Sequence, residues 1–432
     1  MVFLILHLPL GVLVSKIAIL AQVHAAVSVT VGIYLAITSP RPELPLRAAA
    51  YIAGAEVLWR IAFVQTGARI FWETGKYATI LILGTTYLRL PRQRPEWTPF
   101  IYLMLLAPAA LLGLMRLPGD AFGHVRFHMA GPAALAVAAL AISRMKLEVA
   151  QVERALMAFV LPLAATSAAI NLNLATLERV VFGTQSNPQT SGGFGPNQVS
   201  LVLGFGALIL AFLPILSKRH LAQVVFLVAL AGALGAQAAL TFSRGGVFGM
   251  ALAGVVGAAF LVTSREQLIR VGVVLGTVGL LSIVVLAPRL NEYTHGALER
   301  RFTDIETTGR TAIAGGDLRL FAQYPVFGVG VGRSALLRDN HVGVTAHSEF
   351  TRLPAEHGVY GLLALVLMVF WAATGLARAG PGAPRGLATM LVIWAVVSMF
   401  HASTRVAAPS IAFALGAFGF RAVGATRRDG AS

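Results

Sequence analysis

The sequence predicts an all-α fold, a polytopic integral membrane helical bundle of about 12–14 transmembrane segments with one large outward-facing loop. Hydrophobic residues fill 57% of the 432 positions, and charged residues fill only 12%. Apolar runs of about 20 residues, the length that crosses a bilayer core of about 30 Å, recur along most of the chain. The largest polar stretch, from Arg289 to about Pro354, lies between apolar segments. Cysteine is absent, which excludes disulfides and thiolate chemistry.

The predicted spans follow one another along the chain without an internal repeat or a flexible linker. The first apolar stretch, VFLILHLPLGVLV, has no cationic segment before it and no small-residue cleavage site after it. We therefore expect a first membrane helix there and not a removed signal peptide. The candidate spans are 2–15, 17–38, 47–65, 76–90, 97–115, 127–143, 155–171, 198–216, 220–242, 245–263, 267–288, 356–377, 386–402 and 409–424.

The formal net charge of +16 could indicate a nucleic-acid partner or basic cytoplasmic loops. Basic residues cluster in alternate short loops, so the pattern favours cytoplasmic loops, and we expect no nucleic-acid partner. The basic set is Arg41, Arg47, Arg89, Arg92, Arg94, Arg144, Lys146, Arg154, Lys218, Arg219, Arg265, Arg270, Arg378, Arg385, Arg427 and Arg428.

The opposite set of connections then faces outward. It contains residues 171–198, the Ser243–Arg244 turn and the long polar stretch. We accordingly divide one membrane domain into a helical bundle at 1–288, a catalytic loop at 289–354 and C-terminal helices at 355–432. Exterior loops on a rigid bundle are where binding and catalytic sites are commonly built.

Within the long loop, residues 306–332 predict a short amphipathic helix closed by Pro325, with Leu318 and Phe321 on one face. The GVGVG segment after it lacks the spacing and the strand–turn–helix context of a dinucleotide site. It is instead predicted to be a turn where backbone packs closely.

His347 opens the segment AHSEFTRLPAEHG, which predicts a helix as far as Leu353. A histidine in a first helical turn feels the positive end of the helix dipole, which favours the neutral imidazole that a general base requires. The alternative is an interfacial histidine that binds a backbone carbonyl, and the spacing alone leaves both open.

Arg244, in LTFSRGG, and Arg310, near the start of the predicted loop helix, fall on the same side as His347. Each arginine alone is more often structural, since arginine readily snorkels at a membrane boundary. Together with the histidine they form a constellation in which two guanidinium forks could hold a lipid diphosphate.

Other ionisable residues are weaker candidates. Glu56 and Arg60 lie one turn apart within a predicted span, where a substrate-binding role competes with a simple ion pair. Arg69 and Lys76 are predicted to face outward and could assist with a diphosphate. His124 and His128 have metal-compatible spacing but too few neighbouring ligands, so no metal site is predicted.

The motifs resemble those of the O-antigen ligase and polymerase superfamily, whose ligases carry a His-[Asn/Ser/Gln]-x9-Gly-x-x-Gly-Thr pattern. This sequence has His347, Ser348, nine further residues, Gly358 and Gly361, with Leu362 in place of threonine. SRGG around Arg244 and GR…YPVFGVGVG around Arg310 are similar to family segments in the same order. The likeness covers residues 195–365 well, and the earlier half in hydropathy only.

The resemblance implies a metal-independent, inverting glycosyltransferase of lipopolysaccharide and cell-envelope biosynthesis in the bacterial inner membrane, with its site in a periplasmic loop. The implied donor is an undecaprenyl-diphosphate-linked glycan. The acceptor is lipid A–core or a second lipid-linked repeat, membrane lipid surrounds both, and no cofactor is expected. His347 would be the base or orienter, and Arg244 and Arg310 would bind the diphosphate. Asn197, in GFGPNQ, is similar to a family position and is a possible substrate-binding residue, although a turn is the more common explanation.

Three functions stay open. An O-antigen ligase is the preferred one, and an O-antigen or exopolysaccharide polymerase would use the same donor chemistry. A lipid-linked glycan flippase or transporter belongs to another class, but such proteins commonly show repeats and broken midplane helices that this sequence lacks.

Overall fold

The computed structural model describes residues 2–91, 96–183, 185–217, 219–304, 309–338, 343–344, 346–401 and 403–420. Every regular element in these ranges is helical, so the all-α prediction is confirmed. The helices are α1 Val2–Lys16, α2 Ala18–Thr38, α3 Glu43–Thr66, α4 Thr74–Arg89, α5 Thr98–Arg116, α6 Ala121–Arg144, α7 Val149–Ala175, α8 Pro196–Leu216, α9 Leu221–Leu240, α10 Arg244–Leu261, α11 Arg265–Leu281, α12 Ala287–Tyr293, α13 Ala297–Thr303, α14 Arg310–Gln323, α15 Ser334–Leu337, α16 Glu349–His357, α17 Val359–Arg378, α18 Ala383–Ser398 and α19 Ala408–Phe418.

Ten helices in the described ranges are long and apolar enough to cross a membrane, as a multi-pass membrane protein requires. One of them runs continuously from Arg265 to Tyr293, because a π-helical segment joins α11 to α12. Two shorter apolar helices, α1 and α19, accompany the ten. The spans predicted at 47–65 and 76–90 form α3 and α4, which are outside that set. Of the predicted basic set, Arg92, Arg94, Lys218, Arg427 and Arg428 lie outside the described residues.

Helix α8 forms the centre of the bundle. Every residue from Gln198 to Ile215 is buried, which fits a helix that is apolar on all sides. Its neighbours include α7, α9 and α10. A Cβ at Gly204 would collide with the carbonyl of Gly246 on α10, so small residues set this close helix contact.

The connections assigned to one side by charge do meet at one end of the bundle. The amide of Asn187 donates to the carbonyl of Thr241 over 2.8 Å. Nε of Arg301, in the long loop, donates to the carbonyl of Phe242, just before the Ser243–Arg244 turn, over 3.0 Å. These contacts join separate connections into one polar end, which carries the candidate site.

The long polar stretch is mostly helical where it is described. The predicted loop helix is α14, which begins at Arg310 and ends at Gln323, shortly before Pro325. The face that carries Leu318 is not the buried one, because Leu318 is 52% exposed whereas Ile313 and Leu320 are buried. The spacing identified the helix, but the side that packs depends on neighbours that are distant in sequence.

Candidate active site

The first turn of α8 contacts the turn that carries Arg244. Ser243 donates its hydroxyl to Oδ1 of Asn197 over 2.8 Å. Phe242, just before it, has a positive φ of 59° and is fully buried. The guanidinium of Arg244 donates to the backbone carbonyl of Asp304 at the end of α13. Asn197, predicted as a possible substrate contact, therefore positions the turn that presents Arg244.

The glycines of SRGG have distinct packing partners. A Cβ on Gly245 would collide with the imidazole of His401, and one on Gly246 would collide with the backbone carbonyl of Ser200. The first glycine lets a histidine from the far end of the chain lie against α10. The second lets α10 begin directly on α8.

Arg310 is the first residue of α14, and its partner is His401, which no sequence motif marks. Nη1 of Arg310 lies 3.1 Å from Nδ1 of His401, at the end of the 3-10 turn after α18. A guanidinium only donates hydrogen bonds, so Nδ1 must accept and His401 must be neutral. His401 lies at the end of the predicted span 386–402, and only the tertiary fold brings it to Arg310.

His347 lies two residues before α16 and is half-buried. Burial, together with the positive charges of Arg310, Arg405 and Arg338, lowers the pKa of its imidazole to about 4. The ring is therefore neutral at physiological pH, as predicted. The predicted cause, a position in the first turn of a helix, was wrong, because α16 begins only at Glu349. Burial of the imidazole is the largest cause of its low pKa.

Three arginines at this end repel one another. Burial and then Arg244 lower the pKa of Arg310. Burial and then Arg244 and Arg310 lower the pKa of Arg301, which the carboxylate of Asp304 offsets only in part. Nη1 of Arg301 is also buried without a hydrogen-bond partner among the described residues. We call Arg244, Arg301 and Arg310 the arginine cluster; its excess positive charge favours a bound anion.

Helix α16 holds a buried ion network beside His347. Arg352 donates to Oε2 of Glu349 over 2.8 Å and to Oε2 of Glu356 over 2.7 Å. The hydroxyl of Thr404 donates to Oε1 of Glu349 over 2.6 Å. Burial would raise the pKa of Glu349, but Arg352 and Thr404 outweigh it and hold that pKa below its ordinary value. His357, the last residue of α16, is buried as well.

The two glycines of the histidine motif allow α16 and α17 to meet. Gly358 has a φ of 61°, and a Cβ there would collide with the carbonyl of Val326. A Cβ on Gly361 would collide with the carbonyl of Leu353. The GVGVG segment packs on the same junction, since the amide of Val329 donates to the carbonyl of Ala355 over 3.0 Å. The close backbone packing predicted for GVGVG is confirmed.

Glu56 and Arg60 are buried and pair at 2.5 Å. The pair also holds the segment after α18, because Arg60 donates to the carbonyl of Arg405 over 2.7 Å and Oε2 of Glu56 accepts from the amide of Ala407 over 2.7 Å. Both residues thus fix the segment that carries His401 and Arg405.

The structure separates the remaining two candidates. Arg69 is exposed in the connection between α3 and α4, as predicted. Lys76 is completely buried, with Nζ 4.7 Å from the ring centroid of Phe127, so its ammonium is not presented to solvent. Nζ also donates to the backbone carbonyl of Phe127 over 3.4 Å, and the aromatic face stabilises the ammonium.

The described residues contain no group of three His, Cys, Asp or Glu side chains that could hold a metal ion. Fold and site together define a polytopic helical membrane protein with a cationic, histidine-containing site at one end.

Residues 234–366 match the family model described as O-Antigen ligase, so this part of the chain is similar to that family. The match supports an O-antigen ligase- or polymerase-type function, a glycosyltransferase-like enzyme, and a lipid-linked glycan donor and acceptor in a membrane. No curated protein matches the chain. The matched segment includes Arg244, Arg310 and His347, whereas Asn197 and His401 lie outside it.

Proposed function

We propose that this protein is an inverting glycosyltransferase that moves a glycan from undecaprenyl diphosphate to a sugar hydroxyl, and that it is an O-antigen ligase acting on lipid A–core. The reaction would occur at the periplasmic face of the inner membrane and need no metal ion. The observation that carries the proposal is the arginine cluster beside a neutral histidine, within a segment that matches O-antigen ligase.

The arginine cluster suits the diphosphate of the donor. Arg310 and Arg301 both have pKa values lowered by burial and by neighbouring cations, so a bound anion would relieve repulsion that is present in the free protein. During transfer, negative charge grows on the oxygen that leaves the anomeric carbon. Guanidinium donors fixed around that position would stabilise the departing diphosphate.

His347 would accept the proton of the acceptor hydroxyl. The hydroxyl oxygen attacks the anomeric carbon while the bond from that carbon to the diphosphate breaks, and the diphosphate leaves with the electron pair. A one-step displacement of this kind inverts the anomeric configuration. His347 need not stay a weak base, because a diphosphate would offset the cations that help lower its pKa to about 4.

An in vitro transfer assay tests the function. Purified protein in proteoliposomes receives the lipid-linked donor, and either lipid A–core or a second lipid-linked repeat is added as the acceptor. We expect new glycosidic bonds to lipid A–core, and unchanged yield in the presence of a metal chelator.

Transfer only to the second repeat would make the protein a polymerase that uses the same donor chemistry. Movement of the donor across the bilayer without new glycosidic bonds would refute the proposed enzyme and support a flippase. If a chelator abolishes transfer and added metal ion restores it, the proposed metal independence is refuted.

A further inference from the structure

A cavity of about 150 Å³ lies next to the segment that carries His347. None of its lining residues belongs to the arginine cluster. It lies between α6, α15, α16 and the 3-10 turn Ser403–Arg405. Its lining includes Ala346, the residue before His347, and Arg405, whose charge acts on that imidazole. The polar lining side chains are His124, His128, Ser334, Glu349, Arg352, Glu356, Thr404 and Arg405.

The charges around this cavity balance, in contrast to those of the arginine cluster. Glu349 and Glu356 together carry two negative charges, and Arg352 binds both of them. Arg405 supplies a second positive charge on the same wall. A neutral wall that is rich in donors and acceptors suits an uncharged polyhydroxyl ligand better than a second anion.

The size and chemistry of the cavity fit a single sugar ring. A cavity of about 150 Å³ holds one six-membered ring, as an apolar cavity of that volume holds benzene. Phe127 lines one side and offers an aromatic surface. His128, next to it, also lines the cavity, and its ring nitrogens have no hydrogen-bond partner within the described part of the chain.

We propose that this cavity is the acceptor subsite and binds the ring of the acceptor sugar whose hydroxyl is glycosylated. The inference rests on the proposed function. The diphosphate occupies the arginine cluster, and the acceptor ring occupies the balanced cavity. His347 follows Ala346 of the cavity wall, and the charges of both Arg310 and Arg405 act on its imidazole. The two substrates are thereby sorted by charge.

Filling the cavity tests this assignment. Ala335→Leu adds bulk from the lining of α15, and His128→Phe removes both ring nitrogens while it keeps an aromatic ring. Ala322→Leu, the same change at an exposed position on α14, is the matched control. The binding probes for the purified full chain are dephosphorylated acceptor-core oligosaccharide and inorganic diphosphate.

We expect both lining variants to weaken oligosaccharide binding and raise the acceptor KM by about tenfold or more. The larger side chain of Ala335→Leu excludes the sugar ring, and His128→Phe leaves sugar hydroxyls without hydrogen-bond partners. Diphosphate affinity should stay within about twofold of the parent value, since the arginine cluster is untouched. The control variant should match the parent in every measurement. Retained diphosphate affinity also shows that a variant is folded.

The outcomes separate this inference from the proposed function. If the lining variants bind oligosaccharide like the parent, the cavity is not the acceptor subsite, whether or not the protein transfers glycan. Equal loss of oligosaccharide and diphosphate binding would also overturn it. If the parent transfers no glycan but binds oligosaccharide in a manner that Ala335→Leu abolishes, the sugar site stands and the proposed reaction fails.

Discussion

His401 gives the sharpest test of how the site is organised, because two substitutions separate its hydrogen bond from its shape. Asn carries Oδ1 at nearly the position of the imidazole Nδ1 and can still accept from Arg310, which lies 3.1 Å from that nitrogen. Phe keeps a flat ring against Gly245 but cannot accept. We therefore expect His401→Phe to be impaired and His401→Asn to retain most of the activity.

The magnitude follows from the type of contact. A hydrogen bond to a charged group contributes about 1.5–3 kcal/mol, and each 1.36 kcal/mol is about tenfold in rate. Loss of the contact that orients Arg310 should thus lower kcat/KM for the donor by about 10- to 150-fold. His401 acts through Arg310, so we expect the donor parameters to change and the acceptor KM to remain near its parent value.

The assay is glycan transfer in proteoliposomes at varied donor concentration, with diphosphate inhibition as a second measure of Arg310. Thermal unfolding of each variant serves as the folding control. If His401→Phe and His401→Asn are equally active, the Arg310–His401 contact has no role in positioning. If both are equally inactive while folded, the imidazole has a different role from the one inferred.

Three further results are expected. His347→Ala should lower turnover by about 10²–10⁴ while donor binding persists, and parent-like turnover would remove His347 from the reaction. Arg310→Lys should lower kcat by about 10²–10³, since a point charge cannot reproduce the fork, whereas unchanged kinetics would exclude it. His347 has a pKa of about 4 in the free protein, and the bound diphosphate should raise it; activity should thus fall as pH decreases, with the acid limb of kcat at higher pH than that of kcat/KM for the donor. The reverse order would contradict a diphosphate beside His347.

The helices were predictable because hydropathy and charge act locally. Apolar runs mark the spans, and the alternation of basic loops assigns their ends to two sides. The same reasoning placed Arg244, Arg310 and His347 at one end, and α14 confirmed the predicted loop helix. It could not identify the buried face of α14, which depends on what that helix packs against.

Contacts between segments that are distant in sequence could not be predicted from hydropathy and spacing. His401 is 91 residues from Arg310, and no spacing rule relates them. Topology assigns Lys76 to the outward side but does not predict its burial, and the ring of Phe127 on α6 covers its ammonium. Arg301 looked like one of several arginines in a polar stretch until α13 brought it against the carbonyl of Phe242.

The hydrogen bond between Arg310 and His401 has a consequence for dissecting this protein into fragments. A polypeptide confined to residues 234–366 would retain three of the side chains expected to do chemistry, yet it would lack the imidazole against which Arg310 is aligned. It would also lack Asn197, which anchors the turn before Arg244. Recombinant study of the reaction therefore requires the segments on both sides of residues 234–366, because Asn197 precedes that range and His401 follows it.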